Sequence, residues 1–267
     1  MTGPLAGRSL LRAALAGPDA PALGTWVKLP AMEAMELVAL AGFDFAVIDL
    51  EHSPIDLETA YRLIGTALFT GVAPLVRVPG LDPGLIQRVL DAGAEGIMVP
   101  HVDTVEQART AVSAVRFPPL GSRGMGSTSR AGAWGARSRE EYLRYGQEEV
   151  VLIAQIESAT GVANAGRVAA VPGVDALLVG VADLSVSMGR TEQDPAVAEL
   201  VARAVGHARA AGKPIGAARG AEVAGVRAAV DAGFTFVMVS NDASLLGAAA
   251  KSAVEAARSV RFADRRG

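Results

Sequence analysis

An apolar run in the stretch FAVIDLEHSP ends in Asp49, Glu51 and His52, and the proline that follows breaks regular structure. Arg77 closes another apolar run in LVRVP, Gln155 and Glu157 close VLIAQIE, and Asp183 follows DALLVG in the segment VADLS. Glu157 and Asp183 are hard oxygen ligands with too few neighbours for an all-protein cage. Such a pair suits Mg²⁺ or Mn²⁺, which keep waters and complete their shell with substrate oxygens. A cation so held chelates a 2-oxo acid through its keto and carboxylate oxygens and acts as a Lewis acid. Arg77 would grip the carboxylate or a developing enolate oxygen. His52 brings an imidazole able to move a proton near neutral pH, and Asp49, three residues earlier, would orient it. These are the parts of a site that makes and holds an enolate.

Singly, each residue also has a structural reading. Arg77 pairs with a nearby acid, Asp183 caps a helix, Glu157 belongs to a buried ion pair, and His52 is a satisfied strand-end group. Their convergence is what needs an architecture. Short β-rich runs recur near residues 24–29, 45–50, 73–78, 96–100, 151–157, 175–180, 213–218 and 236–240, separated by helical patterns rich in Ala, Leu, Glu and Arg. AMEAMELVALAG ends on a glycine suited to the C′ position, and DPGLIQRVLDAG opens with Asp82 as N-cap and Pro83 at N1. Strands followed each by a helix, in a chain of this length, predict an α/β single-domain (β/α)₈ TIM barrel over residues 24–267, preceded by an N-terminal extension and first helix over 1–23. A doubly wound open sheet is the alternative, weakened by the lack of a Gly-rich turn after the first strand. Parallel strands buried on both faces should be apolar until they emerge at their carboxyl ends, where barrels keep their active sites. Asp49, Arg77, Gln155, Glu157 and Asp183 all fall at that end.

Composition narrows the classes. The chain has 267 residues, a net charge of −3 and 4% aromatics, which gives no electrostatic footprint for nucleic acid. No apolar stretch is long enough to span a membrane, arginines interrupt the apolar patch near the start, and zero cysteines fit a reducing cytoplasm. The lack of cysteine also excludes a thiol nucleophile and thiolate metal ligands. Of the lysines, Lys213 precedes a strand and Lys251 lies in the last helix, so only Lys28 is placed for Schiff-base chemistry; lining the mouth is its simpler role. The long irregular segment from Phe117 to Ser138 contains GSRGMGS, read as a mobile substrate loop whose Arg123 faces the acceptor. His101 and His207 are read as structural.

The stretches AGFDFAVIDLEHSP, PLVRVPGLDPGLIQRVLDAGAEGIMVPHVDTVEQA, RFPPLGSRGMGS, QIES and GVADLS resemble, in order and spacing, the HpcH/HpaI aldolases. These are metal-dependent (class II) pyruvate aldolases of the phosphoenolpyruvate/pyruvate superfamily. The resemblance implies a (β/α)₈ barrel assembled as a homo-hexamer, a trimer of dimers that exchange the last helix. It implies a divalent cation, Mg²⁺, Mn²⁺ or Co²⁺, on Glu157 and Asp183, an acid/base His52 with Asp49 as partner, and Arg77 as the pyruvate and enolate ligand. Gln155 would lie near the oxo acid, the backbone around Gly180 and Ala182 would contact its carboxylate, and Asp91 would reach a neighbouring subunit's site. Many members read Gly-Pro-Ala-Asp where this chain has Gly180-Val181-Ala182-Asp183, which returns a backbone N–H at the turn. The implied reaction joins or separates pyruvate, or a close 2-oxo acid, and an aldehyde. Oxaloacetate decarboxylation, or a condensation on the same enolate, is the alternative within enzymes; a non-catalytic barrel that binds a 2-oxo acid is the alternative outside them.

Overall fold

A computed structural model of the chain describes residues 7–17 and 20–260. The first six residues of the expected N-terminal extension, residues 18–19 and residues 261–267 lie outside the described part. Eight parallel strands, β1 (Ala22–Val27), β2 (Phe45–Asp49), β3 (Ala73–Arg77), β4 (Gly96–Val99), β5 (Val151–Ile156), β6 (Ala176–Val179), β7 (Ile215–Arg219) and β8 (Phe236–Asn241), close in chain order. β1 pairs with both β2 and β8, so the sheet is the expected barrel and not an open sheet. Around and between the strands run α1 (Leu10–Leu15), α2 (Met32–Leu40), α3 (Leu57–Thr70), α4 (Pro83–Asp91), α5 (Val105–Val115) and α6 (Arg139–Arg144). They are followed by α7 (Ala159–Ala169), α8 (Val181–Ser187), α9 (Pro195–Ala210), α10 (Val223–Asp231) and α11 (Asp242–Ser259). No helix among the described residues is long and apolar enough to cross a membrane.

Local chemistry explains the element ends. The Asp82 carboxylate accepts the Gly84 and Leu85 N–H groups at 2.8 and 3.2 Å, with Pro83 at the first helical position of α4. Gly42, one residue past the α2 C-cap, takes φ +87°. β1 ends earlier than expected because the Asp242 carboxylate draws the Lys28 and Leu29 N–H groups out of the ladder. β7 starts later, at Ile215, since Pro214 has no N–H to give.

Alternation along the strands sorts the core in two. Outward residues such as Ile48, Val76, Leu152 and Val179 pack with the helices. Inward residues fill the barrel: Phe45, Val47, Leu75, Met98, Ile153, Leu178, Phe236 and Met238, with Trp26 among them. The rings of Phe45 and Phe236 meet edge to face, 6.1 Å apart. Gly216 makes room there, since a Cβ on it would stand 2.1 Å from the Phe236 ring. Leu11 of α1, fully buried, joins the same cluster, so α1 plugs the amino end of the barrel.

Among the described residues, the outer layer is open beside β8 and β1. After Asp242, α11 runs away from the barrel and only Leu245 is part-buried. Outside β8 and β1 lies an apolar groove of about 490 Å³, lined by Leu23, Phe43, Val223, Val226, Val230 and Val239.

Candidate active site

Continuing the inward positions upward from the packed interior brings polar residues to the carboxyl rim. Trp26 leads to Lys28, Val47 to Asp49 and Glu51, Leu75 to Arg77, and Ile153 to Gln155 and Glu157. The strand register sets Asp49 directly beside Arg77. Arg77 donates from Nε to Asp49 Oδ1 at 2.9 Å and from Nη2 to Oδ2 at 2.7 Å, a buried two-pronged pair. Lys28 Nζ lies 2.8 Å from the same Oδ2. Burial alone would raise the Asp49 pKa; the Arg77 and Lys28 charges outweigh it and hold the carboxyl at about 2. Arg77 is fixed further by the Trp26 ring, 4.2 Å from its guanidinium carbon, and by Glu51 Oε2, 3.0 Å from Nη1.

This arrangement corrects one expectation. Asp49 does not orient the His52 imidazole, because Arg77 and Lys28 claim both its oxygens. Its link to His52 is the backbone N–H, which donates to Oδ1 at 3.2 Å. The carboxylate nearest the His52 ring is Glu51, whose Oε2 is 3.8 Å from Nε2, and the ring itself stands 58% exposed at the rim.

Glu157 is buried just beyond β5. Its Oε2 accepts the His101 backbone N–H at 3.0 Å and lies 2.9 Å from His101 Nδ1, while Gln155 donates from Nε2 to Oε1. Burial pushes the Glu157 pKa up to about 7 against the help of His101, and the like charges of Asp183 and Glu51 push the same way. Asp183 stands exposed in the first turn of α8, beyond β6 and not on the strand itself. Gly180 precedes that helix with no side-chain cap, and Val181 fills the first helical position that proline often takes. A Cβ on Gly180 would sit 2.7 Å from Glu157 Oε1. Trp26, Lys28, Arg77, Gln155, Gly180, Ala182 and Asp183 share in lining one cavity of about 460 Å³, which suits a small ligand.

The donor set fits a divalent cation. A buried carboxylate raised by desolvation and by two like charges is stabilised by positive charge beside it, and the buried Gln155 Oε1 has no hydrogen-bond partner among the described residues. Glu157 and Asp183 are the residues that would hold the ion. Among the described residues no three His, Cys, Asp or Glu side chains cluster closely enough to cage one, so the remaining positions would fall to water and substrate oxygens.

Two further residues singled out in the sequence lie away from this cavity. Arg123 is buried, bonded to Asp91 Oδ1 at 2.8 Å and stacked 4.6 Å from the Phe117 ring, so it does not face an acceptor here. Asp91, held by Arg123 and by the Tyr142 hydroxyl at 3.1 Å, ends α4 away from this cavity. Lys28 lines the mouth as expected, and Glu51 joins it through Arg77. His101, read from the sequence as structural, belongs to the site more closely than its position suggested.

A family model described as HpcH/HpaI aldolase/citrate lyase matches residues 22–255. The chain belongs to this family. A hydroxypyruvate/pyruvate aldolase of Chromohalobacter salexigens is 41% identical, with 86% of this chain and 91% of the relative covered. A 2-dehydro-3,6-dideoxy-6-sulfogluconate aldolase of Pseudomonas putida is 38% identical, covering 84% and 88%. The crystal structure of an HpcH/HpaI aldolase/citrate lyase family protein from Burkholderia cenocepacia superposes with a TM-score of 0.87 at 37% identity, over 93% of this chain and 98% of that one. The two curated relatives are named aldolases, which are carbon–carbon lyases, and the Burkholderia protein shares this fold.

Proposed function

We propose that this HpcH/HpaI family member is a class II aldolase that cleaves 4-hydroxy-2-oxo acids to pyruvate, or a close 2-oxo acid, and an aldehyde, and runs the reverse condensation. The observation that carries the reading is Arg77, locked by Asp49, Glu51 and Trp26 on the wall of a cavity that also holds Asp183 and Gln155. A guanidinium fixed before substrate arrives stabilises a developing enolate oxygen without reorganising. A divalent cation on Glu157 and Asp183, Mg²⁺, Mn²⁺ or Co²⁺, supplies Lewis acidity toward the oxo acid when bound. His52 takes the proton from the 4-hydroxyl as the C3–C4 bond breaks; its exposed ring reaches the rim from the loop after β2. Gln155 and the backbone around Gly180 and Ala182 orient the oxo acid and its carboxylate.

The reading is tested by hydrogen exchange at the methyl group of pyruvate in heavy water. Exchange is expected with added Mg²⁺ or Mn²⁺, and its loss in Asp183→Ala and Arg77→Ala proteins. Exchange undiminished after complete chelation, or in the Asp183→Ala protein, overturns it. We further propose a cytoplasmic homo-hexamer in which partners exchange α11. The exposed helix and the apolar groove of the same chain support the exchange; the trimer-of-dimers count rests on the family resemblance.

A further inference from the structure

We propose that His101 is a positioning residue: its ring Nδ1 and its main-chain N–H together clamp Glu157 Oε2, fixing the carboxylate for the cation. The inference rests on the reading of Glu157 as a cation ligand. Three features of the turn after β4 carry it. His101 has φ +55°, a region unfavourable for most side chains but tolerated better by Asn, Asp and His. The turn is tied to β5 on both sides of that residue, since the Val102 N–H donates to the Gln155 carbonyl at 3.0 Å and the His101 N–H donates to Glu157 at 3.0 Å. The left-handed conformation brings the ring back over the same carboxylate oxygen, 2.9 Å from Nδ1, with Nε2 3.5 Å from Glu51 Oε1.

A ring kept only for packing would be covered, yet this side chain is 63% exposed. What it touches is the pair Glu157 and Glu51. Held at Oε2, the Glu157 carboxylate keeps Oε1 against Gly180 and Gln155, on the side from which α8 carries Asp183. Groups that fix a metal-binding side chain in this way commonly change metal affinity by about 10–100-fold when removed.

The test titrates Mn²⁺ into the full-length wild-type, H101G, H101N and D183A proteins, with free Mn²⁺ read by electron paramagnetic resonance. Glycine removes the ring and accepts the positive φ, while asparagine also accepts it and offers a side-chain N–H near the place of Nδ1. H101G should bind Mn²⁺ about 10–100-fold more weakly, and H101N should recover most of the affinity. At saturating Mn²⁺, pyruvate methyl exchange by H101G should return close to the wild-type rate. Wild-type affinity in H101G overturns the proposal, as does exchange that stays lost at saturating metal, which would place His101 in the reaction itself. Wild-type protein that binds Mn²⁺ no better than D183A overturns the underlying assignment of the cation site, a separate failure.

Discussion

Gly180 is the residue at which the smallest change should do the most damage. A methyl group there would press first against Glu157, at 2.7 Å from Oε1 and 2.8 Å from Cγ. Gly180→Ala is expected to lower Mn²⁺ affinity and methyl exchange by at least about tenfold, in line with other losses of ligand placement, while leaving the melting temperature nearly unchanged. A different carboxyl group, Glu95, governs stability and not chemistry. It is buried at the amino end, where Oε2 accepts the Ser9 hydroxyl at 2.9 Å and the Leu11 N–H at 2.8 Å, and Oε1 has no partner among the described residues. Burial raises its pKa from 4.5 to about 7, with Glu149 adding like charge. The folded state therefore keeps a proton that the unfolded chain releases, and stability falls as pH rises from 4.5 to about 7. Glu95→Gln keeps an acceptor for both donors, so its melting temperature should vary less with pH across that window and exceed that of the wild type at pH 8. At this scale the site was legible wherever strand alternation governs direction, as for Arg77, Gln155 and Glu157. It was illegible where a loop decides. Spacing suggested Asp49 for His52, but the barrel register gives Asp49 to Arg77, and His101 reaches Glu157 only through a left-handed turn that no glycine marks in the sequence.

Among the elements, the barrel interior is the least forgiving. A Cβ on Gly216 would overlap the Phe236 ring, so Gly216→Ala should cost about 1–3 kcal/mol in urea unfolding, and Phe236→Leu placed with it should restore part of the loss. Leu11→Ala, which empties the plug at the amino end, should cost about 2–5 kcal/mol yet leave methyl exchange intact, because α1 and the rim lie at opposite ends of the strands. The β/α rhythm was plain in the sequence because most strands are apolar on both faces below their carboxyl ends and several helices carry caps or end signals such as Asp82 and Gly42. The strand ends were not, since the Asp242 carboxylate and Pro214 set them through contacts and missing donors. Nor did anything in LLRAAL mark it as a plug; that role depends on Glu95 holding the start of the helix from the far side of the chain.

At the scale of the whole molecule, the open place in the helix layer is the decisive feature. A second copy's α11 is the proposed occupant of the groove between α10 and β1, and Val226→Asp would set a charge on its apolar floor. Size-exclusion chromatography with light scattering should then show smaller assemblies for Val226→Asp than for the wild type; an unchanged mass would remove the groove from the interface. If each barrel borrows one wall from a neighbour, its melting point is no longer a property of the chain alone. Dilution would weaken it and abundance would strengthen it, so that how firmly this enzyme stays folded becomes a question of how much of it the cell makes.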